Sequence, residues 1–222
     1  MLLPARRLVQ ILLAGLVVSC THSPSGAAPR PGAAPTEAAT ATQDGPDFNV
    51  IGSFNVRVVV IEFTDLQCPY CAHFANQVFP RLKSAYVDTG RIRYVSRDLP
   101  LRMHAHAETA AVAARCAGEQ GRYWEYRHAV FADQQRIGAE PWEDFAKALG
   151  LDLGRFDACR RDGRQLEAVR ADAKFALSQG LASTPSFALG RLVNGEFVLA
   201  EKFSGAETYE AFAARIDALL AE

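Results

Sequence analysis

The chain has 222 residues, 49% of them hydrophobic, enough for a sizeable core and too many for intrinsic disorder over most of its length. Lys plus Arg number 24 against 25 Asp plus Glu, a formal charge of -1, so there is no strongly basic field to hold nucleic acid. With 16 Gly, 11 Pro and 5 Cys the chain fits neither a fibre nor a small disulfide scaffold, and a mixed α/β globular protein is expected.

Arg6 and Arg7 precede an apolar run over residues 8–18 that only Gln10 interrupts, and small Ser19 stands before Cys20. This order reads as an export signal. The run is about 11 positions long where a spanning helix needs about 20, which disfavours a permanent transmembrane segment. Val17-Val18-Ser19-Cys20 resembles the bacterial lipobox, in which the signal (residues 1–19) is cut before a cysteine that becomes lipidated, here Cys20. The alternative is an ordinary secretory signal cut elsewhere between residues 19 and 28. Residues 21–47 are Ala, Pro, Thr, Ser and Gly with almost no large apolar side chain, so residues 20–47 are expected to form a disordered tether. A random coil of that length spans roughly 28 Å.

Residues 56–63 are a near-continuous, β-branched apolar run that fits a strand buried on both faces, followed by a turn at 64–67. Ala72, Phe74, Ala75, Val78, Phe79 and Leu82 then mark one face of a helix, so Cys68 stands at a helix start, with Pro69 suited to its first turn. A strand over residues 91–96 completes a β-α-β unit. Beyond Pro100 the pattern is helical for roughly eighty residues. Residues 104–117, 123–131, 142–149 and 165–179 read as successive helices. Strands at 186–189 and 196–200 flank Asn194-Gly195, a hairpin turn signal, and a helix over 206–221 closes the chain.

Export would place the cysteines in an oxidising compartment, where they pair or do redox chemistry. Besides Cys20 there are four, which allow three connectivities. The spacing in Cys68-Pro69-Tyr70-Cys71 closes a short redox-active loop, leaving Cys116 with Cys159 as a structural cross-link or, alternatively, a second redox site. A helix N-terminus favours thiolate, which points to Cys68 as nucleophile. Cys71, one turn deeper, would be the resolving thiol, and Tyr70 between them either tunes the pair or is plain surface. Glu62, an acid in an apolar strand, would relay a proton to or from Cys71, or else end the strand in water. His73, His104 and His106 show no convincing ligand spacing and read as surface or packing residues, so no metal is expected. Trp124 and Tyr126 read as helical core, and Arg91, Arg93, Arg97 and Arg102 as a solvated basic run.

The strand, the Cys68-Pro69-Tyr70-Cys71 helix start, the helical stretch, and Ser183-Thr184-Pro185 before the hairpin and last helix together resemble the DsbA-like branch of the thioredoxin superfamily. The likeness runs from about Gly52 to Ala221 and includes Val60-Ile61-Glu62-Phe63, residues 116–121 with Trp124, and residues 156–159. It departs at Tyr70, where the best-known strongly oxidising members carry His. The resemblance implies a thioredoxin fold at residues 48–102 and 181–222 with an inserted α-helical subdomain at 103–180. It also implies a cis Thr184-Pro185 bond facing Cys68, with the Thr184 backbone open to an extended substrate.

The function expected is a lipid-anchored thiol:disulfide oxidoreductase that needs no cofactor and acts on reduced or misoxidised exported proteins. A disulfide-donating oxidase recharged by a membrane partner of the DsbB kind leads. A membrane-anchored reductase is the alternative, and a soft-metal binding protein using Cys68 and Cys71 is the rival from another class. The expected localisation is a bacterial membrane, with the domain facing the periplasm or the extracellular side. Residues 21–47 are too poor in apolar side chains to form a dimerisation domain, so a monomer is expected.

Overall fold

The computed structural model describes residues 47–222; the signal, Cys20 and nearly all of the tether lie outside the described residues. A five-stranded sheet has the order β1-β3-β2-β4-β5: β1 Val50–Gly52, β2 Val58–Thr64, β3 Ile92–Asp98, β4 Ser186–Val193 and β5 Glu196–Ser204. Strand β2 runs parallel to β3 and antiparallel to β4, while β1 and β5 are antiparallel additions at the two edges. All seven residues of β2 are buried, as expected of a central strand without polar-apolar alternation.

The period of two along β2 still sorts its side chains by face. Val58 and Val60 pack with Phe74, Val78, Phe187 and Phe212, whereas Val59, Ile61 and Phe63 pack with Leu99, Ala176 and Leu181. One face is covered by the Cys68 helix and by α8 (Tyr209–Ala221); the other is covered by α7 (Arg164–Ser178). The Cys68 helix begins as α1 (Pro69–His73), continues through a π-helical turn (Phe74–Val78) into α2 (Phe79–Leu82), and ends in a second π-turn (Lys83–Val87). The first π-turn has a local cause. Pro80 has no N–H and its ring would crowd the carbonyl four residues back, and the wider turn directly before it absorbs that conflict.

Between β3 and β4 lie α3 (Ala107–Gly118), α4 (Tyr123–Ala132), α5 (Trp142–Ala148), α6 (Leu153–Arg161) and α7. Their common core joins Tyr126, Phe131, Trp142, Phe145 and Phe156 to Cys71 and Ala72 of α1, so the helical insertion packs directly on the Cys68 helix. Among the described residues, no helix is long and apolar enough to cross a membrane.

Several boundaries differ from the sequence expectations. Thr64 belongs to β2, paired in register with Asp98, rather than to the turn. Strand β1 was not expected, because three residues are too few to show a period. Helix α3 starts at Ala107 rather than at 104, since residues 101–106 are used to tie down the turn before Cys68. Helix α6 lies within the stretch read as helical but was not named as a separate helix, its sequence LGRFDACRR being mostly polar; Asp152 starts it, its side chain accepting from the Arg155 N–H at 3.0 Å. The hairpin turn is as expected, with Asn194 and Gly195 both at positive φ (53° and 85°), and its strands extend further than the sequence suggested. Helix α8 starts at Tyr209 rather than at 206, where the Thr208 hydroxyl caps Ala211.

Candidate active site

Cys68 is the N-cap residue of α1 in an extended conformation, and Pro69 occupies the first helical position. Both Cys68 and Cys71 are free and buried, whereas Tyr70 between them is 68% exposed. The Thr184-Pro185 peptide bond is cis, and Cys68 Sγ lies 3.4 Å from the Thr184 carbonyl, to which its thiol form donates. The residues that the sequence set on either side of the helical insertion therefore meet at one sulfur.

The two thiols stand in opposite environments. A hydrogen bond from the Cys71 side chain lowers Cys68 to about 5; burial works against this, while the Thr184 side chain and the backbone N–H groups of Cys71 and Tyr70 add to it. Burial pushes Cys71 well up, and the neighbouring Cys68 and the charge of Glu62 push in the same direction. At neutral pH one sulfur is a thiolate and the other holds its proton.

Glu62 is fully buried, but its oxygens are committed. Arg127 Nη2 donates to both at 2.7 and 2.6 Å, and the Tyr94 hydroxyl donates to Oε2 at 2.8 Å. The expected free acid is thus replaced by an ion-paired carboxylate that acts on Cys71 through its charge. Arg127 comes from α4, and its guanidinium carbon lies 4.9–5.5 Å from the ring centres of Phe79, Trp124 and Phe131.

The turn before Cys68 is held from the helical insertion and its leading loop. Asp65 accepts from the N–H groups of Gln67 and Leu101 and lies 2.8 Å from His104 Nδ1. Gln67 accepts from the His106 N–H, and Gln134 Nε2 donates to the carbonyls of Leu66 and Cys68 at 2.9 and 3.0 Å. Arg127, Asp65, His104 and Gln134 were missed as site residues, since their partners lie roughly 35 to 70 positions away and no spacing motif links them.

The basic run is corrected in part: Arg91 and Arg102 are exposed as expected, whereas Arg93 is buried and Arg97 half-buried. Arg93 is buried with Nη2 2.6 Å from the Phe54 carbonyl, Arg97 pairs with buried Asp172 at 3.0 Å, and Arg91 pairs with Asp217 at 3.2 Å. Tyr126 is core as expected, donating to the Trp142 carbonyl. Cys116 and Cys159 are bonded to each other, linking α3 to α6. Among the described residues, no three His, Cys, Asp or Glu side chains gather as a metal-ligand set.

A family model described as Thioredoxin matches residues 45–218. The chain belongs to the thioredoxin family. Among solved structures it is similar to DsbA2 of Pseudomonas aeruginosa, with a TM-score of 0.61 at 26% identity, covering 78% of this chain and 93% of that one. The fold is the DsbA-like thioredoxin fold, in which the helices from α3 to α7 interrupt the sheet domain. Among curated relatives it is 35% identical over 148 residues to the Na(+)/H(+) antiporter NhaA 3 of Salinispora tropica, covering 66% of this chain and 22% of that protein. It is 26% identical over 154 residues to a Rickettsia felis protein provisionally named a protein-disulfide oxidoreductase, covering 67% of this chain and 55% of that one. The chain thus spans about a fifth to about half the length of these two curated relatives.

Proposed function

We propose that this protein is a thiol:disulfide oxidoreductase that donates its Cys68–Cys71 disulfide to reduced exported proteins. One observation carries the reading: the unequal environments of the two sulfurs. Cys68 sits where the Cys71 side chain, Thr184 and the helix-start N–H groups stabilise a thiolate, and Cys71 sits where burial, Cys68 and Glu62 oppose one. A substrate thiolate attacks Cys68 Sγ of the disulfide, the S–S bond breaks, and its electron pair leaves on Cys71. A second substrate thiolate then attacks the substrate sulfur of the mixed disulfide, and Cys68 leaves as its stable thiolate. Two electrons pass from the substrate to the pair. Stabilisation of the reduced form through Cys68 favours this direction over reduction of substrates. The cis Thr184-Pro185 segment beside Cys68 would align an extended substrate strand.

Reoxidation is assigned to a membrane partner of the DsbB kind, and the domain to the outer side of a bacterial membrane, anchored by lipid on Cys20 behind the tether. The test uses a reduced, unfolded disulfide protein as substrate. Oxidised wild-type protein should restore its disulfides and Cys68→Ala should not, while Cys71→Ala, mixed instead with the disulfide-bonded form of the substrate, should accumulate mixed disulfides through attack of Cys68 on the substrate disulfide. Trapping through Cys71 in the Cys68→Ala variant would reverse the roles, and a wild-type protein that only reduces disulfides would reverse the direction.

A further inference from the structure

The residues at the sheet end of the site include one polar group that the exchange chemistry described above does not use. Thr64 is the last residue of β2, and the period of two puts it on the same face as Val58, Val60 and Glu62. That face is covered by the Cys68 helix. Thr64 is only 2% exposed, and its Oγ1 is buried without a hydrogen-bond partner among the described residues. Its carbonyl accepts from the Leu99 N–H, so the backbone is fixed while the hydroxyl remains uncommitted. An unpaired buried hydroxyl is costly, and where one persists a second state of the site that uses it is a physical reason to look for.

The hydroxyl lies beside Cys71, close enough to favour a negative charge there, though it makes no aligned bond to the protonated thiol. Of the other donors around this sulfur, Arg127 Nη2 and the Tyr94 hydroxyl are bound to Glu62; Arg127 Nε has no partner, but it belongs to a guanidinium already held on that carboxylate, whereas the Thr64 hydroxyl can turn freely. When a substrate opens the disulfide, however, Cys71 departs with an electron pair into a dry core beside a carboxylate. That thiolate needs a donor. We propose that the Thr64 hydroxyl is the hydrogen-bond donor that receives Cys71 as it leaves the disulfide, and so is a further catalytic residue. The role rests on the exchange chemistry under Proposed function. The step is balanced: the substrate thiolate forms a bond to Cys68 Sγ, the Cys68–Cys71 bond breaks, and the electron pair moves to Cys71 Sγ. The Thr64 O–H turns onto that sulfur without giving up its proton. The rate of opening depends on the stability of the leaving thiolate, so losing the donor slows this step.

The experiment is stopped-flow opening of the oxidised full-length protein by dithiothreitol, for wild type, Thr64→Val and Thr64→Ser. Valine keeps the branched shape and volume and removes only the hydroxyl function; serine keeps the hydroxyl. Thr64→Val should open about tenfold more slowly, equivalent to about 1.4 kcal/mol in the barrier, and Thr64→Ser should open within about twofold of wild type. If the valine variant does not fold, Thr64→Ala makes the same comparison without added atoms. A folded Thr64→Val that opens at the wild-type rate overturns the role. So does a Thr64→Ser variant as slow as Thr64→Val, which would mean that packing sets the rate. If the wild-type disulfide itself does not react with dithiothreitol, the oxidoreductase reading fails and the role falls with it.

Discussion

The Glu62–Arg127 pair offers the sharpest test of how the helical insertion serves the site. Arg127 is 2% exposed and Glu62 0%, and their atoms meet at 2.6 and 2.7 Å in a setting of Phe79, Trp124 and Phe131 rings. Replacing Arg127 by Met fills most of the volume and leaves the Glu62 carboxylate with only the Tyr94 hydroxyl in a dry core. Removing one member of a buried pair costs about 3–5 kcal/mol, because the other charge loses its compensation. At about 2–4 °C per kcal/mol for a domain of this size, Tm should fall by roughly 6–20 °C. Glu62→Gln alone should cost a similar amount, since it strands the guanidinium. The double variant Glu62→Gln/Arg127→Met should be more stable than either single variant, because no net charge is left behind. Differential scanning calorimetry of the four proteins, both redox forms prepared separately, reads the cycle directly. Single losses under about 1 kcal/mol, or a double variant whose loss equals the sum of the two, would refute the pairing argument.

Titrating the thiolate ultraviolet absorbance of reduced protein should show Cys68 ionising near 5, and Cys68→Ala should abolish that step. Because the folded value lies below that of a free thiol, about 8.5, the stabilisation of the reduced fold is full above the unfolded value and is lost as pH falls through about 5. Urea unfolding of reduced and oxidised protein at pH 7 and pH 4 should therefore show the reduced form losing its advantage at the lower pH; an advantage that grows on acidification contradicts the assignment. The Cys116–Cys159 bond closes a loop over a separation of 43 residues, so the Cys116→Ala/Cys159→Ala variant should lose about 4 kcal/mol by chain entropy in chemical denaturation. Thiol mapping under mild reductant should label Cys68 and Cys71 well before Cys116 and Cys159; burial does not separate the two pairs, but the low pKa of Cys68 makes its disulfide the easier one to open. Cys20→Ala should release the protein from the membrane fraction, and unchanged retention would remove the lipid anchor from the proposal.

The redox pair was legible in the sequence because its chemistry is local. Cys68 and Cys71 are three positions apart, the β-branched run before them fits a buried strand, and Pro69 marks the helix start that brings the Cys71 side chain and the helix N–H groups to Cys68. The Asn194-Gly195 turn was equally plain, since both residues must take positive φ and few others do so cheaply. The three-residue strand β1 and the polar helix α6 were not, because neither carries enough apolar residues to show a period. Nor was the company of each buried charge. Sequence could place Glu62 in an apolar strand, but only the tertiary structure brings Arg127 to it from 65 residues away and commits both of its oxygens. The same holds for His104 beside Asp65, for Arg97 on Asp172, and for the Thr64 hydroxyl next to Cys71. Periodicity fixes which face a side chain takes, whereas its partner on that face is chosen by how distant elements pack; in a core that excludes water, that partner decides whether a carboxylate relays a proton or merely lends its charge.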